Sequence, residues 1–267
     1  MFRVEFAKAV RRWRTWALAA ALAAVPILIV VGVVASHPHR TGEGPPFLSL
    51  ILRSGLFAPL TALAVVQPFF LPLTASLLSG DAIAGEASAG TLRYLLVRPV
   101  GRRRLVLQKY ASVMTLATLG VLWVVVVGAI AGGIAFGFGG ALPTLSGSTI
   151  SAGAAVIRIV GAAGYAAAGI AGLAAIGVFV STLTESSPGA TVATVVFAIV
   201  SQILDALTNL NAIHPYLLSH DWTAFADLFR DPIAWHRMAH GLVVDAAYTA
   251  LFVGAALVVM SRKDVTA

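Results

Sequence analysis

Runs of about 20 mostly apolar residues recur along this chain, and they restrict its possible folds more than any other feature. A helix rising about 1.5 Å per residue needs roughly that many to cross a bilayer core. In hydrocarbon every backbone N–H and C=O must be paired internally, so such runs have to be helices packed against one another. Composition agrees, because 59% of the 267 residues are hydrophobic and only 11% are charged, against roughly 25% charged in a soluble domain. The formal charge of +7 would suit a nucleic-acid binder. The cations, however, flank the apolar runs in short segments, as membrane orientation requires, so no nucleic-acid partner is expected. The chain has no cysteine, which excludes a disulfide framework or a thiolate site.

Hydropathy gives an all-α polytopic membrane protein, a single transmembrane domain over 1–267. Six spans are expected: Trp16–Ala35, about Pro59–Ser79, Ala111–Phe138, Ile159–Leu183, Ala190–Leu210 and Leu242–Met260. In segments, these are spans 1–2 in 16–79, spans 3–4 in 111–183, span 5 in 190–210 and span 6 in 242–260, with a tail over 261–267. The first run ends in SHPHR without a small-residue cleavage site and reads as a retained span, not a signal peptide. In 1–15, Phe2, Phe6, Val10 and Trp13 share one helical face with cations around the rest, the pattern of an amphipathic interfacial helix on lipid. The segment 211–241 is expected outside, before the last span. There Trp222, Phe225, Leu228, Phe229 and Trp235 would dip into the outer interface. Thirteen of the 18 Lys and Arg residues fall in 1–15, 80–110 and the tail, and five elsewhere. That asymmetry puts both termini on the cytoplasmic side and all six histidines outside.

The loop 80–110, GDAIAGEASAGTLRYLLVRPVGRRRLVLQKY, holds six of those cations. It has more internal order than orientation demands. Asp81 can cap a short helix over Ile83–Ala89 that carries Glu86; Gly90 breaks it, Arg98-Pro99 stops the next apolar stretch, and Gly101–Arg104 turns into the following span. A short helix projecting from two spans can carry force between a soluble partner and the membrane. Small residues crowd the next spans: Gly128 with Gly132, and Gly133 with Gly137, have the spacing that lets helix backbones approach closely.

The block GEASAGTLRYLLVRPVGRRRLVLQKY resembles the loop between the second and third spans of ABC-2-type transporter permeases. Glu86, Gly90, Thr91, Leu92, Pro99, Arg102 and Lys109 match that family's order and spacing. The resemblance implies a bacterial plasma-membrane permease subunit, of exporter type, whose loop is a coupling helix seated on a separate ABC ATPase and whose segment 211–241 forms short extracellular helices before the last span. Carried over to this chain, Asp81, Glu86, Gly90, Thr91, Leu92 and Arg93 would make the contact, with Arg98, Pro99 and Arg102 shaping the turn behind it. The implied partners are two ATPase copies and a second permease copy or a related one, besides membrane lipid. The chain has no GxxxxGK[ST] phosphate loop, so ATP and Mg belong to the partner and no cofactor is expected here.

Ionisable and amide side chains at membrane depth are functional candidates, which singles out Gln202, Asp205 and Asp245 as possible substrate-pathway residues; Asp205 and Asp245 lie near the outer ends of their spans, where solvation at a helix end is the simpler reading. No metal site is expected: HExxH is missing, although His236 and His240 are four apart and could share a helical face. Glu185 would cap the fifth span. No Gly-x-Ser-x-Gly elbow or convergent catalytic set occurs, so the chain does not read as an enzyme. The rival reading is an ATP-independent secondary transporter or channel. It requires charged or unwound positions near mid-membrane.

Overall fold

The computed structural model describes residues 13–36, 47–88, 90, 101–139 and 142–262. The 1–12 part of the expected interfacial helix lies outside the described residues, as do Thr91, Leu92, Arg93, Arg98 and Pro99.

Apart from one two-stranded hairpin, the regular structure of the described residues is helical. The first helix, α1 (Trp13–Ser36), continues through Pro26. After it come α2 (Leu48–Ile51), a 3-10 turn at Gly55–Phe57, α3 (Ala58–Val66) and α4 (Phe70–Gly80). A short helix, α5 (Ala84–Ser88), precedes α6 (Arg102–Phe136). The hairpin β1–β2 pairs Leu142 with Ile150 antiparallel. Next are α7 (Ala152–Ala168), α8 (Ala171–Leu183), α9 (Ser187–Ala206), three 3-10 turns at Thr208–Leu210, His214–Tyr216 and Ala224–Phe229, and α10 (Trp235–Arg262).

Among the described residues, five helical stretches are long and apolar enough to cross a membrane: α1, α6, α7 with α8, α9 and α10. A sixth is completed by the turn at Gly55 with α3, and α4, which meet at a 59° bend. The segment expected as the second span, about Pro59–Ser79, is thus bent, and proline chemistry explains the break. Pro68 and Pro72 have no N–H, so the carbonyls of Ala64 and Pro68 lose their donors four residues ahead. Gln202 Nε2 from α9 donates to the Pro68 carbonyl instead, at 2.8 Å. Large apolar side chains such as Ile134, Ile157 and Leu28 remain exposed on the outer faces, as a hydrocarbon-facing surface allows.

The bent pair sits at the centre, with α3 against α1 and α6, and α4 against α8, α9 and α6; the most extensive pairing is α8 with α10. Glycine permits the closest approaches. A Cβ on Gly132 would lie 2.5 Å from both the Ala58 Cβ and the Gly55 carbonyl oxygen, and one on Gly128 would meet the Pro59 backbone at 3.0 Å. The Gly128/Gly132 spacing thus seats α6 on the start of α3. Gly137 plays another part, ending α6 with φ +71°, a conformation that suits glycine.

Several helix ends differ from the sequence expectation. The basic residues Arg102–Arg104 form the first turn of α6, which starts about nine residues before the expected third span. The last helix starts at Trp235 and so contains His236, Arg237 and His240. Ser186, not Glu185, caps α9, its Oγ accepting from the Gly189 N–H at 3.2 Å. The largest correction concerns the aromatic segment before α10. Trp222, Phe225, Leu228 and Phe229 are all buried in the main core. Phe229 packs edge-on to Phe47 and Phe57, at ring-centroid distances of 5.5 and 6.2 Å. Of the five residues expected to dip into the membrane interface, Trp235 alone is exposed. Composition cannot tell an apolar stripe facing lipid from one facing protein.

Candidate functional site

The end of the bundle that carries Gly80, Arg102 and Arg262 is the basic end. Here α4 stops and the chain turns into α5, and side chains of α8, α9 and α6 fix that turn. Ser181, fully buried on α8, does most of it. Its Oγ accepts from the Ile83 and Ala84 N–H groups at 3.0 and 2.8 Å and donates to the Gly80 carbonyl at 3.0 Å. The first N–H groups of a short helix have no partners of their own, and here a neighbouring span supplies one. The Asp81 carboxylate accepts from Ser187 Oγ on α9 at 2.9 Å. The expected capping of this helix is thus shared with tertiary contacts no local motif encodes.

Glu86 lies on α5 and forms an ion pair with Lys109 on α6. Both side chains are nearly enclosed, 12% and 7% exposed, so the pair is shielded from water and ions. Around it, Ile83 packs in a small cluster with Leu105, Val106 and Val113 of α6, Val178 of α8 and Met260 of α10. Arg102 reaches across to α10, its Nη1 donating to the Ser261 carbonyl at 3.2 Å. The turn after α4 and the helix α5 are therefore joined to α6, α8, α9 and α10, while Ser88 and Gly90 remain exposed at their free side. Close backbone approach reinforces the joint. A Cβ on Gly80 would fall 2.7 Å from the Thr191 nitrogen, and one on Gly177 would fall 1.9 Å from Ser79 Oγ.

The structure separates the other sequence-selected residues. Gln202 braces the bend, as described. Asp245 on α10 is buried, and its Oδ1 accepts from the Gly172 N–H at 3.0 Å. That amide is in the first turn of α8, just past the short break at Gly169–Ile170. Two further side chains reach the same stretch: Gln67 Nε2 donates to the Ala166 carbonyl at 3.4 Å and the Tyr110 hydroxyl to the Ala171 carbonyl at 3.1 Å. Asp245 therefore sits at a helix break inside the bundle, and not at a wet helix end. Asp205, at the opposite or histidine end, bonds His220 Nδ1 through Oδ1 at 2.6 Å.

Also at that end, Asp221 is buried and accepts from His240 Nδ1 at 2.9 Å, with Arg237 Nε 3.3 Å away. Its backbone carbonyl takes the Tyr165 hydroxyl at 2.7 Å. Asp227 pairs with Arg230 at 2.6 Å. His240 Nδ1 meets Asp221, and among the described residues neither His236 nor His240 belongs to a cluster of three or more potential metal ligands. Sequence reasoning missed Ser181, Asp221 and Arg237. Nothing local marks a serine within an apolar helix as the clamp of a turn about 100 residues away.

These features define an all-α polytopic membrane protein whose basic-end helix is tied into four spans. Residues 53–266 match the family described as "Protein of unknown function (DUF2705)", and the chain belongs to that family. A 65-residue stretch is 48% identical to a protein of Pseudomonas aeruginosa described as the probable ABC transporter permease protein NosY, covering 23% of this chain and 22% of that one. The protein of the same description from Stutzerimonas stutzeri is 42% identical over 65 residues, 24% of each chain. The similarity therefore spans under a quarter of the length of these curated relatives.

Proposed function

We propose that this chain is the membrane-spanning permease subunit of an ABC transporter of the ABC-2 type, an exporter that works with a separate ATPase subunit. Three observations support the reading: the partial similarity to proteins described as ABC permeases, the polytopic helical fold, and the joint at α5. The joint carries the argument. A loop that only connected two spans would need no buried ion pair and no interhelical clamp at its base. Anchored as it is to α6, α8, α9 and α10, α5 would pass a displacement imposed from outside to most of the bundle without absorbing it.

In this proposal Glu86 holds α5 to α6 through Lys109, Asp81 and Ser181 fix its base, and the ATPase meets the exposed side at Ser88, Gly90 and the residues that follow, through Thr91–Arg93. Arg98, Pro99 and Arg102 lead the chain back into α6. The basic end faces the cytoplasm of a bacterial cell, where the ATPase and its MgATP reside. Two copies of this chain, or one with a related permease, assemble with two ATPases. Closure of the ATPase dimer on ATP would move the α5 helices and rock the spans.

The chain has no cysteine, so one introduced thiol is unique. Ser88→Cys, labelled with a thiol-reactive photo-crosslinker and co-expressed with a cognate ABC ATPase, should yield a specific adduct. A label on Thr208→Cys at the histidine end should not. Equal capture from both positions, or none from Ser88→Cys, would overturn the assignment.

One observation favours the rival reading of an ATP-independent transporter. A buried carboxylate, Asp245, stands at a helix break beside a second, bent span, which is what an ion-coupled pathway would need. Flux in sealed vesicles decides between the two. The ABC reading requires ATP for transport, whereas the rival requires an ion gradient and loses transport in Asp245→Asn.

A further inference from the structure

We infer that Asp205, His214 and His220 form a binding site for a first-row divalent metal ion, with zinc the best chemical fit, at the histidine end of the bundle. The inference is independent of the transporter reading. One ligand atom from each of the three side chains lies within 4.8 Å of the others. Two imidazole nitrogens and one carboxylate oxygen are the donors that zinc takes in sites where water fills the fourth position. With metal–ligand bonds of about 2.0–2.1 Å, tetrahedral donors are about 3.3 Å apart. Closing on an ion therefore needs side-chain movements of roughly an ångström, with no change of backbone.

The backbone is already set for this. Asp205 lies in the last turn of α9, which Leu207 ends with an N–H to the Leu204 carbonyl. A succession of tight turns follows: Leu210 to Leu207, Ile213 to Leu210, Tyr216 to Ile213, Leu217 to His214 and His220 to Leu217. These bring residues nine and fifteen positions downstream back over the helix end. His220 Nδ1 already contacts Asp205 Oδ1 at 2.6 Å, and a metal would replace the proton between them. His214 is the informative member. A His–Asp pair that only stabilised the helix end would need no second imidazole, yet the His214 ring stands 5.8 Å from that of His220, centroid to centroid. Its Nε2 is held 3.2 Å from the Leu207 carbonyl. Asp205 and His220 are 27% and 33% exposed, enough for an ion to enter and for water to complete its shell. A bound ion would fasten the end of α9 to the segment that leads into α10.

The test uses the full chain, purified in detergent with a tag that contains no histidine and stripped with a chelator. Zinc is titrated against a chromophoric competitor, and cobalt(II) absorption reports coordination geometry. One zinc per chain with a Kd of micromolar or below is expected, together with the intense visible bands of tetrahedral cobalt. His214→Ala, which leaves the Asp205–His220 bond in place and so preserves the fold, should weaken zinc at least ten-fold, as should His220→Ala. His236→Ala, an exposed histidine on α10, should not change it. Absence of saturable binding, binding that persists in both the His214 and His220 variants, or an equal loss in His236→Ala would overturn the site.

Discussion

Removing one oxygen atom, in Ser181→Ala, tests whether the turn at the basic end is held from α8. Alanine keeps the Cβ and leaves no sizeable cavity, so packing should survive. What is lost is the Oγ that accepts from Ile83 and Ala84 and donates to Gly80. A net contribution of about 0.5–1.5 kcal/mol per bond puts the loss at about 2–4 kcal/mol. The site is fully buried, so water cannot readily replace the hydroxyl. At about 1.4 kcal/mol per factor of ten, opening of this turn should become roughly 30- to 700-fold more frequent. Amide hydrogen exchange in nanodiscs reads that directly: the Ile83 and Ala84 amides should lose protection by that factor while amides in the middle of α8 keep theirs. Unchanged protection at Ile83 and Ala84 would refute the reasoning. So would a uniform loss along α8, which would mean that the hydroxyl stabilises the helix and not the turn. In the proposed transporter the same variant should still bind the ATPase but couple hydrolysis to transport poorly.

Other substitutions examine the remaining joints. Glu86→Gln alone, removing the charge that faces the enclosed Lys109, should destabilise by up to about 3–5 kcal/mol; Glu86→Gln with Lys109→Met should recover most of it in a thermal-unfolding series. Gly55→Ala and Gly80→Ala place a methyl against backbone atoms of a facing helix and should cost about 1–3 kcal/mol each. Gly164→Ala, with nothing within 4 Å of the new carbon, should be neutral or slightly stabilising, and differential scanning fluorimetry ranks the three. Asp245→Asn keeps an oxygen that can accept from Gly172 and should fold like the native chain. Asp245→Leu strands that buried amide, at about 1–3 kcal/mol, and should lower the melting temperature accordingly.

The apolar runs were legible because the bilayer demands them. Twenty consecutive hydrophobic residues leave few alternatives, and the described helices of that length coincide with expected spans. Pro68 and Pro72 were equally visible, yet their consequence was not. Whether two prolines kink a span or break it by 59° depends on what satisfies the freed carbonyl, and that is Gln202, 134 positions away. The aromatic segment misled for a related reason. Trp222, Phe225, Leu228 and Phe229 form an amphipathic pattern with two possible apolar partners, lipid and protein, and the pattern is the same for both.

A membrane-embedded helical chain, its approximate spans, its close-packing glycines and a basic loop with more order than a connector needs are all readable from residue order. These follow from local composition and spacing, which act through hydrophobicity and backbone sterics. Which polar groups meet is a matter of tertiary packing. Glu86 finds Lys109, Ser181 holds the turn before α5, Asp245 bonds Gly172, and Asp205 gathers His214 and His220. Inside an apolar bundle an unpaired polar atom is expensive, so most find a partner. Which partner it finds is set by how the helices cross, and sequence spacing along any one helix does not contain that information.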